Sequence, residues 1–219
     1  MKFSMSEVAE RFTFHNEIDQ ICAMPWHRLS EGELVDAAWA YYYFSIQFRE
    51  NLEIAAARHP HDRKLRQLVK EECNTANLSP FPGVAAAGEA MNHDEFMKRA
   101  LALAPIASDK RARFEKLGQT YLAAIRAMDD ETRAISISSY EDGGLESVFR
   151  AILTATHWNH PVLAAFKHFL VEHIRFDSDP DAGHGALSRH LPPDDRVQPI
   201  WAQFRSIFVD FAPALGSAA

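Results

Sequence analysis

Apolar residues recur at helical spacing along almost the whole chain. In the clearest case Leu34, Ala37, Ala38, Tyr41, Ser45, Phe48, Leu52 and Ala55 mark one face of a helix expected from about Glu31 to Arg58. Its start is signalled by Ser30-Glu31-Gly32-Glu33, where hydroxyl and carboxylate can satisfy terminal amides reciprocally, and its end by "RHPHD". The same pattern predicts helices over Ser6 to Ala23, Asp62 to Ala76, Val84 to Met91, His93 to Leu103 and Ser108 to Met128. Further helices are expected over Glu131 to Glu141, Leu145 to Thr156, Pro161 to Asp177 and Pro199 to Phe211. Only "RAISISSY" alternates with period two, and it has no partner strand. The expected fold is all-α, a single-domain helical bundle of seven or more helices spanning residues 1–219.

Some ionisable residues fall on these apolar faces, where a carboxylate or imidazole without a partner costs several kcal/mol. In "NHPVLAAFKHFLVEHIRFD", His173 lies four beyond Phe169 and Asp177 four beyond His173, one above the other on the stripe of Phe166, Phe169 and Leu170. A histidine and a carboxylate in that register can share one metal ion, or form an ion pair near a helix end. Glu72 follows Leu68 by four and Leu65 by seven and points inward, whereas Glu71 points out; Glu141 follows Ile137 by four and Ala134 by seven. Each acid alone reads as a flank residue. Inward acids and a histidine from separate helices are tolerable together mainly around a cation.

Composition narrows the classes. The chain has 219 residues, 47% hydrophobic and 24% charged, which suits one compact unit. Its net charge of -7 and lack of any lysine- or arginine-rich run argue against a nucleic-acid partner. No run of ~18 apolar residues and no signal-peptide pattern occur, so no membrane association and a cytoplasmic location are expected. Cys22 and Cys73 are too few for a disulfide framework and sit in no metal-binding spacing. The stretch from Asp177 to Gly183 approaches a calcium loop, but its glycine is one place late and its twelfth position is Ser188 rather than glutamate. The histidines of "HPH" at His59 to His61 and of His157-Trp158-Asn159-His160 read as loop and turn residues.

Four segments carry a resemblance. "MPWHRLSEGEL" followed by "AYYYFSIQFRENL", "YEDGGLE" at Tyr140 to Glu146, "HIRFD", and the later "HG" at His184 together resemble the heme-oxygenase-like helical fold. The likeness is to its non-heme diiron oxidase branch, related to the pyrroloquinoline-quinone synthase and death-domain-associating protein families, and extends over roughly residues 20–190. It implies metal ligands at Glu72, Glu141, His173, Asp177 and His184. Two departures stand out. His184 follows Asp177 by seven, rather than the family's three or four, so the helix must bulge or break for it to return. Ser79 stands before Pro80 where the family supplies a further histidine.

The function implied is an oxygen-activating non-heme iron enzyme with one or two Fe(II) ions, acting with O2 on a small amino-acid-derived or fatty-acid-like substrate. Tyr41, Tyr42 and Phe44 are candidates for lining its cavity, against a reading as plain core. A homodimer is expected of a bundle of this size. The alternative is a binding or partner protein of the same fold that has lost catalysis, which Ser79 favours. Heme binding would need His15 as proximal ligand, and a thiaminase-like site would need a nucleophilic cysteine.

Overall fold

The computed structural model describes residues 12–75, 79–177 and 183–216, with the side chain of Asp177 outside the described set. Among the described residues it holds ten α-helices and no strand. They are α1 (Phe14–Cys22), α2 (Glu31–Arg58), α3 (Arg63–Glu72), α4 (His93–Ala102), α5 (Ser108–Arg126), α6 (Asp130–Glu141), α7 (Gly144–Ile152), α8 (Pro161–Asp177), α9 (His184–Ser188) and α10 (Gln198–Phe211). A helical bundle is what the sequence pattern predicts.

Helix α2 is the axis of the bundle, packed against α3, α4, α5, α6, α8 and α10. Its sequence explains the position. Leu34, Ala37, Ala38, Ala40, Tyr41, Tyr43, Phe44, Phe48 and Leu52 are all buried, so apolar side chains leave the helix in nearly every direction. A helix apolar all round must be surrounded. The reciprocal cap forms as expected: Glu33 N donates to Ser30 Oγ at 3.4 Å, and Ser30 N donates to Glu33 Oε2 at 2.9 Å. Phe44 stacks on Phe204 of α10 at 3.9 Å between ring centres and meets Tyr140 of α6 edge-on at 5.3 Å.

The alternating "RAISISSY" lies inside α6. Its serines are buried yet satisfied, because Ser136, Ser138 and Ser139 each donate to the carbonyl three residues back, at 2.7, 3.0 and 2.6 Å. That local bond lets hydroxyls replace apolar groups without breaking the helix.

Three expectations are corrected. The segment Val84 to Met91 is not a helix but a set of turns between two isolated bridges, Phe81 with Ala85 and Thr75 with Met91. Gly83 and Gly88 there hold φ of +78° and +75°, outside the helical region. The helix expected to reach Ala76 ends at Glu72, and Asn74 turns the chain with φ 48°. Finally, α9 at His184–Ser188 answers to no helix predicted from the sequence. Residues 6–11 of the first expected helix lie outside the described residues. Among the described residues no helix is long and apolar enough to cross a membrane.

Candidate metal centre

Helix ends converge on one point beside α2. Glu72 is the last residue of α3, His93 the first of α4, Glu141 the last of α6 and His184 the first of α9, while His173 comes from within α8. Local sequence places each of them. Thr75 N and Met91 O are bonded at 3.1 Å, Met91 N and Thr75 O at 3.0 Å, and Asn74 N donates to Asn92 Oδ1 at 2.7 Å. This neck closes the long excursion between α3 and α4 and lays His93 against Glu72. Gly185 performs the corresponding service for His184. A Cβ there would sit 2.9 Å from the Glu141 carbonyl oxygen, so glycine alone lets α9 settle on the end of α6.

The donors form a tight set. Nδ1 of His93 lies 3.0 Å from Glu72 Oε2 and 3.3 Å from His173 Nε2. Nδ1 of His184 lies 2.7 Å from Glu72 Oε1 and 3.4 Å from Glu141 Oε2. One ligand atom each from Glu72, His93 and His173 falls within 4.8 Å of the other two. Glu72 thus presents one oxygen to the pair His93 and His173 and the other to His184. Glu72, His93, Glu141 and His184 are all buried, with His173 partly so.

Electrostatics make this an expensive arrangement for a protein without a cation. Glu72 and Glu141 end helices of ten and twelve residues, where the partial negative charge of the helix C-terminus opposes a carboxylate by about 0.3–1 kcal/mol each. Burial pushes the Glu72 carboxyl up, but the imidazoles of His93 and His184 outweigh it and hold the group well below the usual carboxylate range. His184 Nδ1 approaches Glu72 Oε1 to 2.7 Å, close enough for the imidazole to hydrogen-bond the carboxylate when Nδ1 carries the proton. His173 is oriented separately: its Nδ1 is 2.8 Å from the carbonyl oxygen of Phe169, so Nδ1 donates there and Nε2 is left facing the cluster.

The surroundings are apolar. Tyr41, Phe44, Phe48, Leu145 and Phe149 close the wall, and the Phe169 ring lies 4.0 Å from that of His173. The space between the donors is about 20 Å³, room for a water molecule or an ion but not for an organic substrate. Tyr42 faces elsewhere, into a separate cleft of about 460 Å³ that it lines with Trp39 and Tyr43.

Of the five residues predicted as ligands, Glu72, Glu141, His173 and His184 come together. Asp177 ends α8 at the right end of the helix, but its side chain lies outside the described residues. Among the described residues, Gly183 is extended, with φ -68° and ψ 164°, so His184 opens a helix separate from α8. Ser79 is not at the site: its hydroxyl donates to Glu172 Oε2 at 2.5 Å, and His168 Nε2 lies 3.2 Å from its carbonyl. A histidine that the sequence reading did not name, His93, is in the cluster. Sequence reasoning missed it, although it precedes the buried Phe96 and Met97 by three and four and so shares their stripe.

The residues of the other expectations lie elsewhere. His15 stacks on Phe14 at 4.3 Å in α1. Cys22 and Cys73 are half-buried; burial raises both thiols, with Glu72 adding to the effect at Cys73, which is pushed up to about 12. A thiol so protonated is a poor nucleophile. No family model, curated protein or solved structure significantly matches the chain.

Proposed function

We propose that this chain is a non-heme iron protein of the heme-oxygenase-like kind, an O2-activating oxidase or oxygenase with one or two ferrous ions acting on a small organic substrate. The observation that carries the reading is the buried meeting of Glu72, His93 and His173, with Glu141 and His184 reached through the second oxygen of Glu72. Imidazole nitrogen and carboxylate oxygen in this mixture suit ferrous iron, and neither thiolate nor a set of carbonyl oxygens competes for the site.

Glu72 Oε2, His93 Nδ1 and His173 Nε2 would hold one ion. Glu72 Oε1, Glu141, His184 and, by the resemblance, Asp177 would hold the other. Bound there, ferrous iron supplies the electrons and open coordination positions that reduce dioxygen for attack on a C–H, C–C or C–N bond. The chain contributes the rest. The bond from His173 to the Phe169 carbonyl fixes which nitrogen faces the centre. Tyr41, Phe44, Phe48 and Phe149 exclude water, which strengthens every interaction among the charged groups and protects the chain from stray oxidation. Among the described residues the cavity beside the donors is about 20 Å³, smaller than an organic substrate, so catalysis requires the site to widen.

A second reading has its own observation. His93 and His184 already pair with Glu72 at 3.0 and 2.7 Å, as they would in a metal-free binding protein that uses the cluster structurally. Anaerobic addition of ferrous iron, followed by elemental analysis and optical spectra on exposure to O2, separates the two. One or two irons per chain and an oxygen-dependent visible band support the oxidase; no retained iron supports the binding protein.

A further inference from the structure

The imidazole of His184 has carboxylates on both sides. Nδ1 faces Glu72 and Glu141 inside the cluster, and Nε2 faces Glu71 Oε2 at 3.5 Å toward the rim. Glu71 is itself held, because Gln67, one turn earlier on α3, donates from Nε2 to Glu71 Oε1. Its side chain is 24% exposed, whereas that of Glu72 is 3% exposed, so adjacent acids on one helix occupy different environments. The pattern of the sequence, with Glu72 inward and Glu71 outward, captures their directions but not that both reach the same ring.

A neutral imidazole carries one N–H and one lone pair. For His184 to offer its lone pair through Nδ1, its proton must sit on Nε2, which the Glu71 carboxylate faces at 3.5 Å, longer than a formed hydrogen bond. His173 solves the same problem in the opposite sense, giving the Nδ1 proton to a neutral backbone carbonyl and presenting Nε2. A carboxylate acceptor does more than a carbonyl, since its charge also makes the ligating nitrogen a stronger donor. Polar contacts around a centre of this kind often lengthen before the ligand arrives, so 3.5 Å is within the reach of a bond that tightens on loading.

We propose that Glu71, oriented by Gln67, is a positioning residue that fixes the ring orientation and Nε2–H tautomer of His184, so that Nδ1 serves the metal. This rests on the reading of the cluster as a metal centre. Glu71 touches no reacting atom in this account and acts only through His184. Because it lies at the rim, its replacement leaves the apolar core intact.

The test is an anaerobic cobalt(II) titration of the full-length wild type, Glu71→Ala, Glu71→Gln and Gln67→Ala, with melting temperatures of the metal-free proteins alongside. The expected result for Glu71→Ala is a loss of roughly 10–100-fold in affinity at the equivalent held by His184, with the equivalent held by His93 and His173 and the metal-free melting temperature unchanged. Glu71→Gln, which keeps an acceptor oxygen, should fall between wild type and Glu71→Ala, and Gln67→Ala should show a smaller loss. A purely structural role would shift the melting temperature or both equivalents together. Wild-type affinity in Glu71→Ala overturns the proposal while leaving the metal centre standing.

A second readout separates failure of the metal reading from failure of this one. In metal-free protein labelled with 15N-histidine, the His184 Nε2–H resonance, assigned by its absence from His184→Gln, should appear in wild type and broaden or move upfield in Glu71→Ala. Wild type that binds no cobalt sinks the metal reading, and the proton resonance then decides Glu71: absence of an Nε2–H signal in wild type, or no change in the variant, overturns it.

Discussion

His93 stands 21 positions after Glu72 in the chain, yet its Nδ1 lies 3.0 Å from Glu72 Oε2. The neck formed by Thr75 with Met91 and Asn74 with Asn92 brings the two helix ends together. His93, rather than any residue near Ser79, is therefore the histidine that completes the cluster. Replacing His93 by alanine should remove about one iron per chain from protein loaded anaerobically with ferrous iron. Ser79→Ala should leave iron content unchanged, since among the described residues that hydroxyl donates to Glu172 and not to the cluster. Equal iron contents in the two variants would contradict this assignment.

The approach of α9 to α6 depends on Gly185. A methyl group there would stand 2.9 Å from the Glu141 carbonyl oxygen, closer than real Cβ contacts come. Gly185→Ala should cost about 1–3 kcal/mol in urea unfolding, the usual range for overpacking. It should also weaken metal binding by displacing His184, its immediate neighbour. Unchanged stability together with unchanged binding would show that α9 does not need this contact.

Asp129 caps α6, accepting from Thr132 N at 2.9 Å and from Thr132 Oγ1 at 2.8 Å, and these bonds, the backbone one foremost, lower its carboxyl. Asp129→Ala should cost about 1 kcal/mol near neutral pH. The folded value is below the unfolded one of about 3.9. The contribution is therefore fully present above roughly pH 4 and is lost as pH falls through the folded value. Urea curves for wild type and variant should converge on acidification. A gap that holds or widens as the pH falls would contradict the cap.

The two thiols offer a check on the fold without any metal. Cys73, pushed up to about 12 by burial and by Glu72, should react with iodoacetamide far more slowly at pH 8 in the native protein than in urea. Cys22, raised by burial and by Asp19, should behave in the same direction. Rapid native labelling of either would place it in a reactive setting that the structure does not give it.

Much of this architecture was legible because helical periodicity is a local property. The stripe along α2, the cap at Ser30 and the inward register of Glu72, Glu141 and His173 all follow from spacing within one helix, and each holds in three dimensions. What was not legible depends on distant segments. The turns around Gly83 and Gly88 look helical by composition, since "VAAAGEAM" is rich in alanine, but pairing of Thr75 with Met91 overrides that propensity. His93 was passed over because its partner Glu72 belongs to another helix, although its position on the stripe of Phe96 and Met97 was readable. The second role of Glu71 escaped for a related reason: its direction could be read from the wheel, but not the ring that α9 delivers to it.

The central claim is that Glu72 ties two groups of imidazoles to iron inside the bundle. Its most direct measurement is anomalous diffraction at the iron edge from crystals of protein loaded anaerobically with ferrous iron. The account predicts a peak at about 2 Å from Glu72 Oε2, His93 Nδ1 and His173 Nε2, and, where a second ion binds, another on the side of Glu72 Oε1, Glu141 and His184. A map with iron only at surface residues, or with none while Glu72 keeps its direct pairing to His93 and His184, would contradict it.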